Sequence, residues 1–195
     1  MAIADNIWWT RKARIQTEKR LLSNARHAQL LLLWYSFVSV GASVYYLQFN
    51  SQSEYSNVSW VIFSVLVLCV SGFINGLSYK ERAAIVKDSY ESLNNLYRKA
   101  KQENADTELI NNEYEQILSL CENHADIDYQ VALCDTYLSH NCPRDPKNGL
   151  DRWPTRYIWL VVFKWFAIRS VSLLILYGLP ILIFIGMEFS NGSQG

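Results

Sequence analysis

The sequence predicts an all-α membrane protein with an N-terminal transmembrane helix hairpin, a cytoplasmic helical hairpin and a C-terminal third transmembrane helix. Three observations carry that prediction. Leu30 to Phe49, LLLLWYSFVSVGASVYYLQF, and Val58 to Tyr79, VSWVIFSVLVLCVSGFINGLSY, contain no charged side chain. Each run of about 20 residues, at a rise of about 1.5 Å per residue, covers a hydrocarbon layer about 30 Å thick. A third apolar stretch, Tyr157 to Phe189, is interrupted only by Lys164, Arg169 and Glu188. The charged fraction of 18% and mean hydropathy of -0.02 look ordinary because they average membrane blocks with a strongly polar block.

Charge sets the expected orientation. Arg11, Lys12, Arg14, Lys19, Arg20 and Arg26 precede the first run, against Asp5 and Glu18. Between the runs, Asn50 to Asn57 carries Glu54 and no Lys or Arg, whereas Lys80, Arg82 and Lys87 follow the second. The positive-inside rule therefore puts both flanks in the cytoplasm. The first run is too long and starts too late for a signal peptide, and no small-residue cleavage pattern closes it, so Met1 is expected to stay. Cys69, Cys121, Cys134 and Cys142 read as reduced thiols, one in a membrane run and three in the cytoplasmic part. Cys121 and His124 facing His140 and Cys142 match no zinc-finger spacing, and no metal or other cofactor is expected.

Residues 1–29 read as a basic amphipathic helix. Its stretch Asp5 to Gln29 places Trp8, Ile15 and Leu22 along one face. That stripe suits either a segment lying in the membrane interface, with Trp8 and Trp9 at headgroup level, or a helix packed on its neighbours. Residues 30–79 form the transmembrane hairpin, and residues 80–151 the cytoplasmic helical region. From Lys80 to about Glu103, Val86, Tyr90, Leu93, Tyr97 and Ala100 recur at helical steps, as a continuation of the second span. Asn104 to Asp106 breaks the pattern and Asp106 can cap. Leu109, Ile110, Tyr114, Ile117, Leu118 and Cys121 then mark a second amphipathic helix that faces the first as a hairpin. A shorter helix spans Asp126 to Ser139, and the prolines and glycine of Asn141 to Gly149 read as a loop. No convincing strand pattern occurs.

Tyr157 to Phe189 is too long for one straight span. It divides into an interfacial segment, 152–169, whose Trp153, Trp159 and Trp165 suit the headgroup region, and a third span over 170–189 before a tail of 190–195. Pro180 with Gly178 should kink that span. Arg152, Arg156, Lys164 and Arg169 all precede it and no basic residue follows, so the C-terminus is expected outside.

Within the second span, Ser64, Ser71, Asn75 and Ser78 fall at steps of seven, four and three, on one helical face. Ser36, Ser39 and Ser43 make a weaker counterpart on the first. An unpaired amide in hydrocarbon costs several kcal/mol, so Asn75 needs another helix, a subunit or water. Two readings stand: Asn75 and the pair Gly72-x-x-x-Gly76 are packing glue, or the stripe lines an aqueous path when copies assemble. No nucleophile elbow, phosphate-cradling loop or intramembrane acid pair is present, and His124, Asp126 and Asp128 read as helix caps and ion-pair partners, so no enzyme is expected. From Lys80 to Arg156 ten basic residues face fourteen acidic ones, which makes direct nucleic-acid binding unlikely. Anionic lipid is the expected partner of the basic N-terminal helix.

The order of a basic Trp-containing helix, two spans with a short outer loop, then Lys80-Glu81-Arg82, Tyr90, Leu93 and Tyr97-Arg-Lys-Ala100, resembles the SLATT family, as does Glu122-Asn-His-Ala-Asp-Ile-Asp-Tyr129. The resemblance covers Trp8 to about Tyr137, and its reverse-transcriptase-associated subtype is one candidate. SLATT proteins are two-span bacterial effectors encoded beside nucleotide-second-messenger synthases, sensor domains or reverse transcriptases. The resemblance implies a homo-oligomeric antiphage effector in the bacterial inner membrane that forms a pore or disrupts the bilayer when a partner protein senses infection. The third span departs from the two-span pattern. The polar helices show no obvious nucleotide pocket, so a partner protein is expected to deliver the signal. A membrane scaffold that recruits a cytoplasmic complex is the alternative, and no intramembrane carboxylate or broken-helix pair supports a transporter.

Overall fold

Six helices account for the architecture of the computed structural model, which describes residues 2–49, 54–102, 106–145 and 149–192. They are α1 (Ala2–Phe49), α2 (Glu54–Gly76), α3 (Tyr79–Ala100), α4 (Thr107–Ser119), α5 (Asp126–Ser139) and α6 (Arg156–Gly192). Among the described residues none forms a strand. Three stretches are long and apolar enough to cross a membrane: Ile3–Tyr46, Trp60–Ala100 and Arg156–Phe189. The chain is thus an all-helical membrane protein. It separates into a polar unit, Met1–Asn24 with Tyr79–Phe166, and a membrane unit, Ala25–Ser78 with Ala167–Gly195.

In the polar unit the first turns of α1 are the core element. Ile7, Arg14, Thr17 and Leu21 are almost fully buried, at steps of seven, three and four. This is not the face that the apolar pattern marks, since Leu22 is 43% exposed while Arg14 is 0% exposed. The reason is that α3, α4 and α5 pack on the side of α1 where polar side chains find partners. Ile7 meets Leu93 and Leu96 of α3 and Ile110 of α4, with Tyr97, Tyr114 and Ile117 against them. Leu21 meets Ala83 and Val86 of α3, backed by Tyr79 and Cys121.

Arg14 ends among acceptors. Its Nη1 donates to Ser89 Oγ and to the Ile117 carbonyl at 3.1 Å, and its Nη2 to the Leu118 carbonyl at 3.2 Å. Those carbonyls belong to the last turn of α4, where backbone acceptors lack helical partners and the helix dipole favours a cation. Burial pushes the Arg14 guanidinium below its ordinary pKa. One turn and a half further on, Asp128 collects four donors. Thr17 Oγ1 reaches it at 3.0 Å, Arg20 Nε and Nη2 at 2.8 and 2.9 Å, and the Ala125 N–H at 3.1 Å. Asp128 is therefore both the N-terminal cap of α5 and the anchor of α5 on α1. The hydrogen bond to Asp128 raises the Arg20 pKa.

The hairpin of α3 and α4 forms as the pattern anticipates, with Asp106 capping α4 by accepting from the Glu108 and Leu109 N–H groups at 3.0 and 3.4 Å. Lys99 to Glu113 and Arg82 to Glu122 are ion pairs on exposed surface, where water leaves them little net stabilisation. One expectation fails: α3 does not continue α2. The helix closes with 3.2 Å bonds from Leu77 N to Ile74 O and Ser78 N to Asn75 O, and Ser78 takes the left-handed conformation with φ of 45°. A non-glycine residue there is strained by its Cβ.

Arg14→Ala should destabilise the polar unit by about 3 kcal/mol, because it leaves buried acceptors unpaired. Arg82→Ala should cost under about 1 kcal/mol. Thermal denaturation of the two variants in the same detergent compares them, and equal losses would contradict the assignment of Arg14 as a core residue.

Candidate site in the membrane unit

Pro180 sits inside α6 and removes the N–H that would pair with the carbonyl of Leu176. In a bilayer no water replaces that bond. The Tyr35 hydroxyl of α1 does, and Trp34 adds a bond to the next carbonyl. Tyr35 OH donates to the Leu176 carbonyl at 2.7 Å, and Trp34 Nε1 donates to the Tyr177 carbonyl at 3.0 Å. His27 Nδ1 lies 3.3 Å from Tyr177 OH, which adds a side-chain contact about two turns earlier on α1. The same residues that read as an apolar run thus fix the register of α1 against α6. Sequence inspection misses this because Trp34 and Tyr35 look like ordinary interfacial aromatics, and only the position of a proline four residues after Leu176 hints at the need.

One turn beyond Tyr35, Ser39 Oγ and Ser64 Oγ lie 2.6 Å apart and tie α1 to α2. Towards Phe49, Ala42, Tyr46 and Trp60 close the core with Phe63, Phe184 and Met187. Three helices therefore meet around α1 through polar contacts and stacked rings, which is how membrane helices gain packing energy without a hydrophobic driving force between them.

The four residues of the polar stripe occupy different surroundings. Ser64 is engaged by Ser39 and also donates to its own Trp60 carbonyl at 2.9 Å. Ser71 is half-buried, and Ser78 is the left-handed residue that ends α2. Asn75 is exposed, as are Gly72 and Gly76. A Cβ built on Gly72 or Gly76 meets nothing within 4 Å, so packing inside this chain does not require either glycine. Gly72, Asn75 and Gly76 fall at steps of three and one on an outward face of α2, beside the exposed Leu68 and Phe73.

The tryptophans named for the interface also separate. Trp8 is half-buried with Lys12 over its ring at 5.2 Å, and Trp153 is 50% exposed. Trp159 and Trp165 are half-buried on α6. Trp9 is 2% exposed and donates its Nε1–H to Asp151 at 2.8 Å, inside the polar unit. Among the described residues no group of three His, Cys, Asp or Glu side chains is placed to hold a metal ion.

A family model described as "SMODS and SLOG-associating 2TM effector domain family 5" matches residues 2–187. No curated protein and no solved structure matches the chain.

Tyr35→Phe should loosen the pairing of α1 with α6 by about 1 kcal/mol, since it leaves the Leu176 carbonyl without its donor. Adding Pro180→Ala should recover most of that loss by restoring the helical N–H. A double-mutant cycle followed by thermal unfolding in detergent measures the coupling, and strictly additive losses would contradict it.

Proposed function

The chain belongs to the SMODS and SLOG-associating 2TM effector domain family, and from that premise we propose that it oligomerises through the outward face of α2 and opens a polar path across the inner membrane of the bacterial cell. Membership makes it a membrane effector of defence systems. The observation that carries the finer reading is the exposed trio of Gly72, Asn75 and Gly76. Small residues let a second backbone approach closely, and an amide facing hydrocarbon alone costs several kcal/mol. Both features are accounted for when another copy of α2 covers that face. Because one chain with three spans cannot enclose a wide pore, the path forms between copies, with Asn75 and Ser71 as its polar lining.

In this reading the protein is no enzyme. The basic flanks hold the polar unit in the cytoplasm and the tail on the periplasmic side. A defence partner, a reverse transcriptase or a nucleotide-signal synthase or sensor, shifts the assembly from silent to open. Opening depolarises the host cell and arrests or kills it.

Membrane potential, read with a voltage-sensitive dye in bacteria induced to express the full chain, tests the proposal. The wild type should depolarise the cells. Asn75→Leu and Gly72→Leu, matched for membrane level, should lose most of that effect. Full depolarisation by both variants would overturn the assigned face, and a wild type that is harmless even with its neighbouring gene during phage challenge would favour a scaffold.

A further inference from the structure

Trp9, Tyr114, Tyr129 and His124 place four flat rings around one cavity of about 540 Å³ in the polar unit. The volume lies within the range of about 300–1,000 Å³ typical of small-molecule sites. The rings are held in place. Trp9 donates to Asp151, and its ring meets Tyr129 edge-on at 6.1 Å between centroids. Tyr114 OH is 2.7 Å from Thr10 Oγ1, and His124 lies 6.5 Å from Tyr129.

Two opposite charges share the lining, Arg152 and Asp126. Arg152 Nη2 donates to Asn6 Oδ1 at 2.7 Å and Nη1 to Tyr129 OH at 3.4 Å, while Nε faces Asp151 at 3.4 Å. A guanidinium has five N–H donors, so both Nη atoms keep one to offer. Asp126 is exposed in the first turn of α5, and no ion pair engages it among the described residues. His124 Nδ1 is buried and has no hydrogen-bond partner among the described residues. Burial, reinforced by the charge of Arg14, lowers the His124 pKa.

We infer that this cavity binds a small aromatic zwitterion of the aromatic α-amino acid type, with its carboxylate on Arg152, its ammonium on Asp126 and its ring among Trp9, Tyr129 and Tyr114. The charge balance of the lining selects that class. A polyanion meets the Asp126 carboxylate and finds a single guanidinium already facing Asp151. An uncharged aromatic leaves the Asp126 carboxylate without an ion-pair partner and the free Nη donors of Arg152 unused. Such a ligand touches α1, α4, α5 and the start of α6 at once, so its binding free energy adds to the stability of the polar unit.

The test is calorimetric titration of the purified full-length chain in detergent with L-tryptophan, L-tyrosine and L-phenylalanine, which is independent of whether the protein conducts ions. At least one should bind saturably and raise the melting temperature. Asp126→Asn, a surface change that should leave the melting temperature of the free protein in place, should weaken that ligand at least about tenfold, and Arg152→Gln should do the same. N-acetyl-L-tryptophan amide, which keeps the ring and lacks both charges, should not compete. No saturable binding of the three amino acids at millimolar concentration would overturn the inference. Equal binding by the uncharged analogue, or tighter binding of adenosine monophosphate, would overturn it as well.

Discussion

A guanidinium at the centre of a helical unit is expensive to desolvate, and the polar unit is arranged around making that expense good. Arg14 is 0% exposed, and among the described residues no carboxylate pairs with it; instead it spans Ser89 on α3 and two carbonyls at the end of α4. Without Arg14 the Leu118 carbonyl would need water or a substitute and the Ile117 carbonyl would keep only the 3.4 Å bond from the Leu120 N–H, because the last turn of a helix lacks its own donors. One side chain therefore satisfies groups on two helices and sets where both lie against α1. Apolar contacts of Ile7 and Leu21 on either side supply the bulk of the burial energy, but they tolerate sliding. The fork of Arg14 does not, since its bonds are directional.

The same logic recurs at Asp128 with the sign reversed. A carboxylate 3% exposed is stable because it faces the positive end of α5 and the Arg20 guanidinium together. Arg20 is itself partly exposed, so the pair escapes much of the desolvation that makes fully buried ion pairs unprofitable. In the membrane unit, Tyr35 does for the Leu176 carbonyl, left without a helical donor by Pro180, what Arg14 does for α4. At Arg14 and at Tyr35 a side chain of α1 completes the backbone hydrogen bonding of another helix.

That recurrence explains what could be read in the sequence. The spans were legible because twenty uncharged residues have few alternative meanings. Asp106 and the bounds of α5 were legible because capping is a local rule, and Asp126 to Ser139 is where the helix falls. The buried face of α1 was not. Arg14 and Arg20 look the same in sequence whether they face lipid headgroups or the end of a helix, and the stripe of Trp8, Ile15 and Leu22 gave the apolar pattern more weight than it deserved. Trp9 shows the same difficulty, since a ring suited to the interface is equally suited to closing a polar cavity. The break at Ser78 was hidden because serine carries no signal for a left-handed conformation, as glycine or asparagine would.

Spacing also treated four polar residues of α2 as equivalent, and their chemistry is not. A serine hydroxyl in a helix can donate to the carbonyl one turn back, as Ser36 does to Leu32, Ser43 to Ser39 and Ser64 to Trp60, all at 2.8 to 2.9 Å. That bond satisfies the hydroxyl within its own helix and lets serine face lipid at little cost. An amide has two donors and an acceptor, and no such local bond satisfies all three. Asn75 therefore demands a partner outside its helix in a way that Ser64 and Ser71 do not. The periodic serines make the stripe visible; the exposed amide, flanked by two glycines with open space before them, is the feature on which the proposed subunit contact rests.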